Sequence, residues 1–102
     1  MVFVLVDNDG GGIFHMLPVR DHEPWFTPLF AAPHGLDFHH AARMYGIPLE
    51  DVAPEGVGDA LSRAVAKGGT RILRVRTDRA AVQRRRREVA DLVAGSVRAA
   101  LG

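Results

Sequence analysis

Residues 2–14 read Val-Phe-Val-Leu-Val-Asp-Asn-Asp-Gly-Gly-Gly-Ile-Phe, and no other stretch limits the fold of this chain as strongly. Five apolar residues, three of them valine, stop at Asp7, Asn8 and Asp9; Gly10, Gly11 and Gly12 follow before apolar residues resume. A run with so little polar face is expected to be a strand buried on both sides. In an open α/β sheet such a strand delivers its loop to the carboxyl edge, where ligands bind. The three polar residues are hard oxygen donors, and the glycines let the backbone approach an anion closely or take φ > 0. The stretch therefore suits a metal ion, a phosphate or both. A tight strand-to-helix turn with no ligand is the plainer alternative, which three glycines in a row disfavour because each costs conformational entropy.

The rest of the chain reads as strand, helix, short extended piece, helix, strand, helix, the order of a small parallel sheet flanked by helices. Ile13–Leu17 is expected to make a short helical turn over the mouth of the loop, ended or redirected by Pro18. Residues 19–36, broken by Pro24, Pro28, Pro33 and Gly35, read as irregular, yet they carry Trp25, Phe26, Leu29 and Phe30. An aromatic-rich loop of this length either packs on the chain's own core or serves a partner surface. Asp37 is placed to cap a helix through Tyr45, with Gly46 ending it and Phe38, Ala41, Ala42 and Tyr45 as its buried stripe. A second helix is expected over 55–67, with Val57, Leu61 and Val65 inward and Gly68-Gly69 as its stop. Thr70–Thr77 reads as the second clear strand. Asp78 then caps a helix to about Leu101, with Val82, Val89, Val93 and Val97 as its seam. A sheet of two or three strands leaves exposed edges, and a central strand preceded only by Met1 is an unusual start. Residues 1–102 are therefore expected to be a single partial domain, the C-terminal part of a larger one, with the rest of the sheet missing or supplied by another chain.

The chain has no cysteine, which excludes disulfides and cysteine-based zinc sites. It has neither a basic stretch before an apolar one, as a signal peptide needs, nor an apolar run near the ~20 residues of a membrane span. A cytoplasmic location is expected. The net charge of +1 is unevenly spread. Residues 1–70 carry four Lys/Arg against nine Asp/Glu, a net −5, and residues 71–102 carry nine Arg against three Asp/Glu, a net +6.

Three readings compete for the first loop and one for the last helix. Asp7-x-Asp9-Gly10 after an apolar strand is similar to the first motif of haloacid-dehalogenase-like phosphatases, with Asp7 as nucleophile and Asp9 as acid/base around magnesium. The remaining parts of that machinery are missing. The single lysine, Lys67, falls in a helix, and Gly58-Asp59 has no second acid at suitable spacing. Arg84–Arg87 forms a basic run that a nucleic-acid-binding module could use, or the glycine loop could serve a non-enzymatic anion-binding module. Four consecutive helical residues spread around the axis, however, and no aromatic lies beside them, so a solvated face or contacts with another subunit are expected and nucleic acid is not. His15, His22, His34, His39 and His40 form no metal-binding spacing.

The second resemblance covers far more of the chain. Asp7-Asn8-Asp9-Gly10 resembles the closing half of the cofactor motif of thiamine-diphosphate enzymes, which opens with Gly-Asp and closes on a strand ending in Asn-Asn or similar. Gly10-Gly11-Gly12-Ile13-Phe14-His15-Met16-Leu17-Pro18 resembles more closely the loop of one subfamily, the MenD or 2-succinyl-5-enolpyruvyl-6-hydroxy-3-cyclohexene-1-carboxylate synthases. Phe30-Ala31-Ala32-Pro33-His34 and Tyr45-Gly46 continue the likeness, through about residue 78. The sequence departs from the pattern at Asp7, often asparagine in the family, and at Ala32, a frequent threonine. An acid at position 7 either adds negative charge near the metal or caps the turn.

The resemblance implies the C-terminal part of a thiamine-diphosphate-binding fold. The side chain of Asn8 and the carbonyl of Gly10 would bind magnesium, a hard cation usually completed by phosphate oxygens. Gly10, Gly11, Gly12 and Ile13 would lie against the cofactor, and Ile13, Phe14 and Leu17 would line the substrate pocket. Plain core packing is the alternative for those three apolar residues. The parent enzyme would decarboxylate 2-oxoglutarate and add the succinyl unit to isochorismate in menaquinone biosynthesis, as a dimer or tetramer. The Gly-Asp half, the glutamate that activates the cofactor and the arginines that hold substrate carboxylates are not in this sequence. No catalytic residue is therefore assigned here, and the chain alone is not expected to hold the cofactor or to catalyse.

Overall fold

The computed structural model describes residues 1–102. Strands β1 (Val2–Asp7), β2 (Leu49–Asp51) and β3 (Arg71–Arg76) form a parallel sheet in the order β1-β3-β2. Val2 pairs with Arg71 and Asp7 with Arg76, so β1 and β3 end side by side. That register brings the loop after β1 next to the start of α3 (Arg79–Leu101), which follows β3. The α/β class and the small parallel sheet flanked by helices are as expected.

The core is small. Leu73 of β3 is fully buried against Ala60 and Ala64 of α2 (Val57–Lys67), with Val2 and Val52 packed at its margin. The expected row Val57, Leu61 and Val65 is not the buried one, and Val65 is 65% exposed. The buried row lies one residue away, about 100° around the axis, because two alanines let the helix backbone come close to the sheet. Gly68, at φ +69, ends α2 as expected.

β1 corrects a second expectation. It is an edge strand with one neighbour, and Phe3, Val4 and Val6 are 45–64% exposed rather than buried on both faces. Helix α1 (Phe38–Met44) has its predicted cap, the Asp37 carboxylate accepting the His39 N–H at 2.9 Å, and Gly46 follows at φ +63. Only Ala42 of its expected stripe is buried. Phe38 is half-buried, while Ala41 and Tyr45 are exposed, since a helix of two turns meets its neighbours along one edge.

The helical turn expected over Ile13–Leu17 is a 3-10 turn at Gly12–Met16, and the segment expected to be irregular holds short turns of its own, 3-10 at Pro18–Asp21 and π-type at Thr27–Ala31. Packing on the chain's own residues holds for part of the aromatic-rich segment. Phe26 is buried, stacked on Phe30 at 6.2 Å and edge-on to His15 at 4.8 Å, whereas Trp25 and Leu29 are exposed. Asp78 caps α3 by accepting the Ala81 N–H at 2.6 Å. No residue of α3 is buried, and its valine seam stays uncovered within this chain. The radius of gyration, 18.0 Å, accordingly exceeds the roughly 13 Å of a compact chain this long. No helix is long and apolar enough to cross a membrane.

Candidate functional site

The loop after β1 is held by its own polar side chains. Asp7 Oδ1 accepts the Asp9 N–H at 3.1 Å, and Asn8 Oδ1 accepts the Gly10 N–H at 3.2 Å. These are side-chain-to-backbone turns of the kind Asp and Asn form where the chain must bend sharply. Asp9 takes a left-handed conformation, φ +55, and its Oδ1 accepts the Gly35 N–H at 2.8 Å across the loop. That backbone donor, aided by His34 and Arg79, holds the Asp9 carboxyl below its ordinary range.

The glycines are required by what lies against them. A β-carbon on Gly10 would collide with the Ala31 carbonyl oxygen and lie 2.9 Å from that of Ala32, at φ +133. One on Gly11 would lie 2.5 Å from the Phe30 carbonyl oxygen, and one on Gly12 2.8 Å from the Asn8 amide nitrogen. The Gly11 N–H donates to the Ala31 carbonyl at 2.6 Å. Thus the segment 30–32 lies directly on the glycine loop, and Gly11 spends its N–H on it in this conformation.

The other side of the loop faces α3. A groove of about 330 Å³ separates them, with Asn8, Gly12 and Ile13 on one wall and Arg79, Gln83 and Arg86 on the other. Arg79 Nη1 donates to the Ala31 carbonyl at 3.1 Å, and Gln83 Nε2 reaches the Gly12 carbonyl at 3.5 Å. Two guanidinium groups and the first turn of a 23-residue helix make this wall electropositive. Phosphate oxygens match such a wall in charge.

Of the residues assigned from the sequence, Asn8, Gly12 and Ile13 are brought together on the wall of this groove, while Gly10 lies against the backbone of residues 31–32 and the Arg79 guanidinium. Phe14 packs edge-on to Phe30 at 5.7 Å, and Leu17 is half exposed beyond it. Asn8 Oδ1 and the Gly10 carbonyl, which accepts the Gly12 N–H at 3.0 Å, each keep a second lone pair. A neutral amide oxygen and a peptide oxygen are donors magnesium accepts, and two of them supply part of an octahedral shell. In donor type these two residues suit the ion as part of its shell. No group of three or more His, Asp or Glu is arranged to hold a metal unaided.

The phosphatase reading does not fit this geometry. The Asp7 side chain is 4% exposed, with Oδ2 facing Arg74 and Arg76 and Oδ1 committed to the Asp9 N–H, so the would-be nucleophile is nearly buried and already engaged.

A second polar cluster lies at the same sheet edge. Arg74 Nε and Nη2 donate to Asp51 at 2.5 and 3.1 Å, and His39 Nε2 lies 2.7 Å from the same carboxylate. The Arg74 fork, then His39, pulls the Asp51 carboxyl from its ordinary 3.8 to about 2. A carboxyl lowered by folding stabilises the fold above its unfolded value, and that contribution is lost as pH falls toward the folded one. Carbon-detected titration of Asp51 should give a midpoint near 2. Stability should decline over that interval, from about 3.8 down to about 2. In Arg74→Gln the midpoint should move up toward 3.8.

Arg79, Gln83 and the Arg74–Asp51–His39 cluster were not assigned from the sequence. Arg79 could have been found from its place just after the cap of the helix following β3, once β3 is set beside β1. The Ala31 carbonyl, inside a proline-broken segment, had no such signal.

No family model matches the chain. Curated relatives do, and those named here share one name, 2-succinyl-5-enolpyruvyl-6-hydroxy-3-cyclohexene-1-carboxylate synthase. The protein of Salinibacter ruber is 41% identical over 102 residues, 99% of this chain and 16% of the relative. That of Rubrobacter xylanophilus is 47% identical over 81 residues, 76% of this chain and 14% of the relative. That of Halobacterium salinarum is 44% identical over 93 residues, 90% of this chain and 16% of the relative. The chain thus spans about one sixth of the length of the relatives it matches. Loop, fold and likeness agree, and the chain belongs to the 2-succinyl-5-enolpyruvyl-6-hydroxy-3-cyclohexene-1-carboxylate synthase family as a C-terminal MenD-like fragment.

Proposed function

We propose that residues 1–102 supply one half of a magnesium and thiamine-diphosphate site in a synthase of menaquinone biosynthesis. That synthase decarboxylates 2-oxoglutarate and adds the succinyl unit to isochorismate. The observation that carries the reading is the glycine loop at the end of β1, where Asn8 lies on an arginine-lined groove and the Gly10 carbonyl, in the turn that Asn8 closes, offers a second hard oxygen. It supports the reading because magnesium and diphosphate need those two complements together, oxygen donors for the cation and positive charge for the anion.

In this proposal Asn8 and the Gly10 carbonyl hold magnesium, while Gly10, Gly11, Gly12 and Ile13 lie along the cofactor. Ile13, Phe14 and Leu17 present apolar surface that excludes water and orients substrate. The cofactor, when bound, supplies the carbanion-stabilising chemistry, and these residues supply position and electrostatics. The remaining ligands, the activating glutamate and the substrate-binding arginines come from the rest of the synthase, in a dimer or tetramer. The exposed apolar faces of β1 and α3 are surfaces against which that remainder would pack.

A chimera tests the proposal. Residues 1–102 replace the matching segment of the Salinibacter ruber protein, and release of carbon dioxide from 2-oxoglutarate is followed with isochorismate present. The chimera should form the succinylated product. A chimera that folds and assembles like its parent but makes none contradicts the reading.

A further inference from the structure

Only two charged residues of this chain are buried, Asp7 and Arg74. They face one another: Arg74 Nη1 lies 3.9 Å from Asp7 Oδ2. The same nitrogen makes no hydrogen bond and lies 3.8 Å from Asp37 Oδ1, while Nε and Nη2 are committed to Asp51. One guanidinium thus draws together the carboxylate that ends β1, the one that caps α1 and the one that ends β2. Asp7 divides its two oxygens between jobs. Oδ2 faces Arg74 and, at 4.0 Å, Arg76, whereas Oδ1 holds the Asp9 N–H and lies 3.9 Å from His34 Nε2. A carboxylate removed from water is costly unless it is paired, and both arginines that face Oδ2 come from β3.

We propose that Arg74 is a positioning residue for the glycine loop: its buried guanidinium fixes the Asp7 carboxylate, which fixes the turn carrying Asn8 and Gly10. The acid at position 7 accordingly directs its charge to the arginines of β3 and not to the loop's outward oxygens. This decides between the two roles open to Asp7, in favour of holding the turn. The relevance to a metal rests on the proposed function. The positioning itself does not, and the test below contains neither metal nor cofactor.

The test is amide hydrogen exchange by NMR on the 102-residue chain, read at Asp9, whose N–H the Asp7 carboxylate holds. In Arg74→Gln this amide should exchange about tenfold faster or more. In Asp51→Asn, which removes the charge and one acceptor oxygen of Arg74's strongest partner but leaves Asp7 facing it, the rate should stay within about twofold. In Asp7→Asn, where an amide oxygen can still accept the Asp9 N–H, adding Arg74→Gln should change the rate by less than about twofold. A general loss of stability would instead add equally in both backgrounds. The proposal is overturned if Arg74→Gln leaves Asp9 within about twofold of native, or if Asp51→Asn speeds it as much as Arg74→Gln does. Should Arg74→Gln not fold, Arg74→Lys carries the test. It keeps the charge near Asp7 without the fork on Asp51, so Asp9 protection should persist, and a loss of about tenfold overturns the proposal.

Discussion

Gly10→Ala should disrupt the loop and the segment lying on it more than any other single-methyl change in this chain. Two costs combine. At φ +133 an L side chain is strained, typically by about 1–3 kcal/mol. The added carbon would also enter the Ala31 carbonyl oxygen, with the Ala32 carbonyl and Arg79 Nη1 within 2.9 Å. These neighbours are mostly backbone and cannot swing aside, so overpacking adds about 1–3 kcal/mol more. Relief requires residues 30–32 to lift off the loop, which also breaks the Gly11–Ala31 hydrogen bond. Gly35→Ala is the matched control. It places a side chain at φ +59 with nothing within 4 Å, so it should cost only the left-handed strain of about 1–2 kcal/mol. Urea unfolding of the two variants separates them; equal midpoints would mean that the packing of 30–32 on the glycines carries no weight.

Asn8→Ala should have the largest effect on function. The side chain has two roles in this account. Its Oδ1 accepts the Gly10 N–H and so shapes the turn, and its remaining lone pair is one of the two proposed magnesium donors. Loss of outer partners of a metal costs about 10–100-fold in affinity or activity. Loss of a ligand that also shapes its neighbour should cost about 100-fold or more. In the chimera this should appear as a steep rise in the magnesium concentration needed for half-maximal product formation. Asn8→Asp keeps an oxygen at the same reach for both roles and should retain much of the activity that Asn8→Ala loses.

What the sequence made legible was local. The apolar run of β1, the carboxylate caps at Asp37 and Asp78 and the glycine stop after α2 are each set by a few neighbouring residues, and each is found where those residues place it. What it left hidden depends on contacts across the chain. The inward row of α2 follows from how closely two alanines let it approach Leu73, which no helical periodicity states. The apolar strand β1 lies at an edge because β2 pairs on the far side of β3. Arg74 sits between apolar residues of β3 and reads as an outward charge. It is buried because Asp7, Asp37 and Asp51, far apart in sequence, converge on it. Half of the candidate site was legible for the same reason: Asn8 through Ile13 are contiguous, whereas Arg79, Gln83 and the Ala31 carbonyl reach the loop only through the fold.

The central claim is that this loop holds its share of a magnesium and thiamine-diphosphate site. Calorimetric titration of thiamine diphosphate into the chimera, with and without magnesium, tests it most directly. The expected result is saturable binding that requires magnesium and is lost in Asn8→Ala while the variant's thermal unfolding stays near that of the native chimera. Magnesium-dependent binding of equal affinity in the native and Asn8→Ala chimeras would contradict the account.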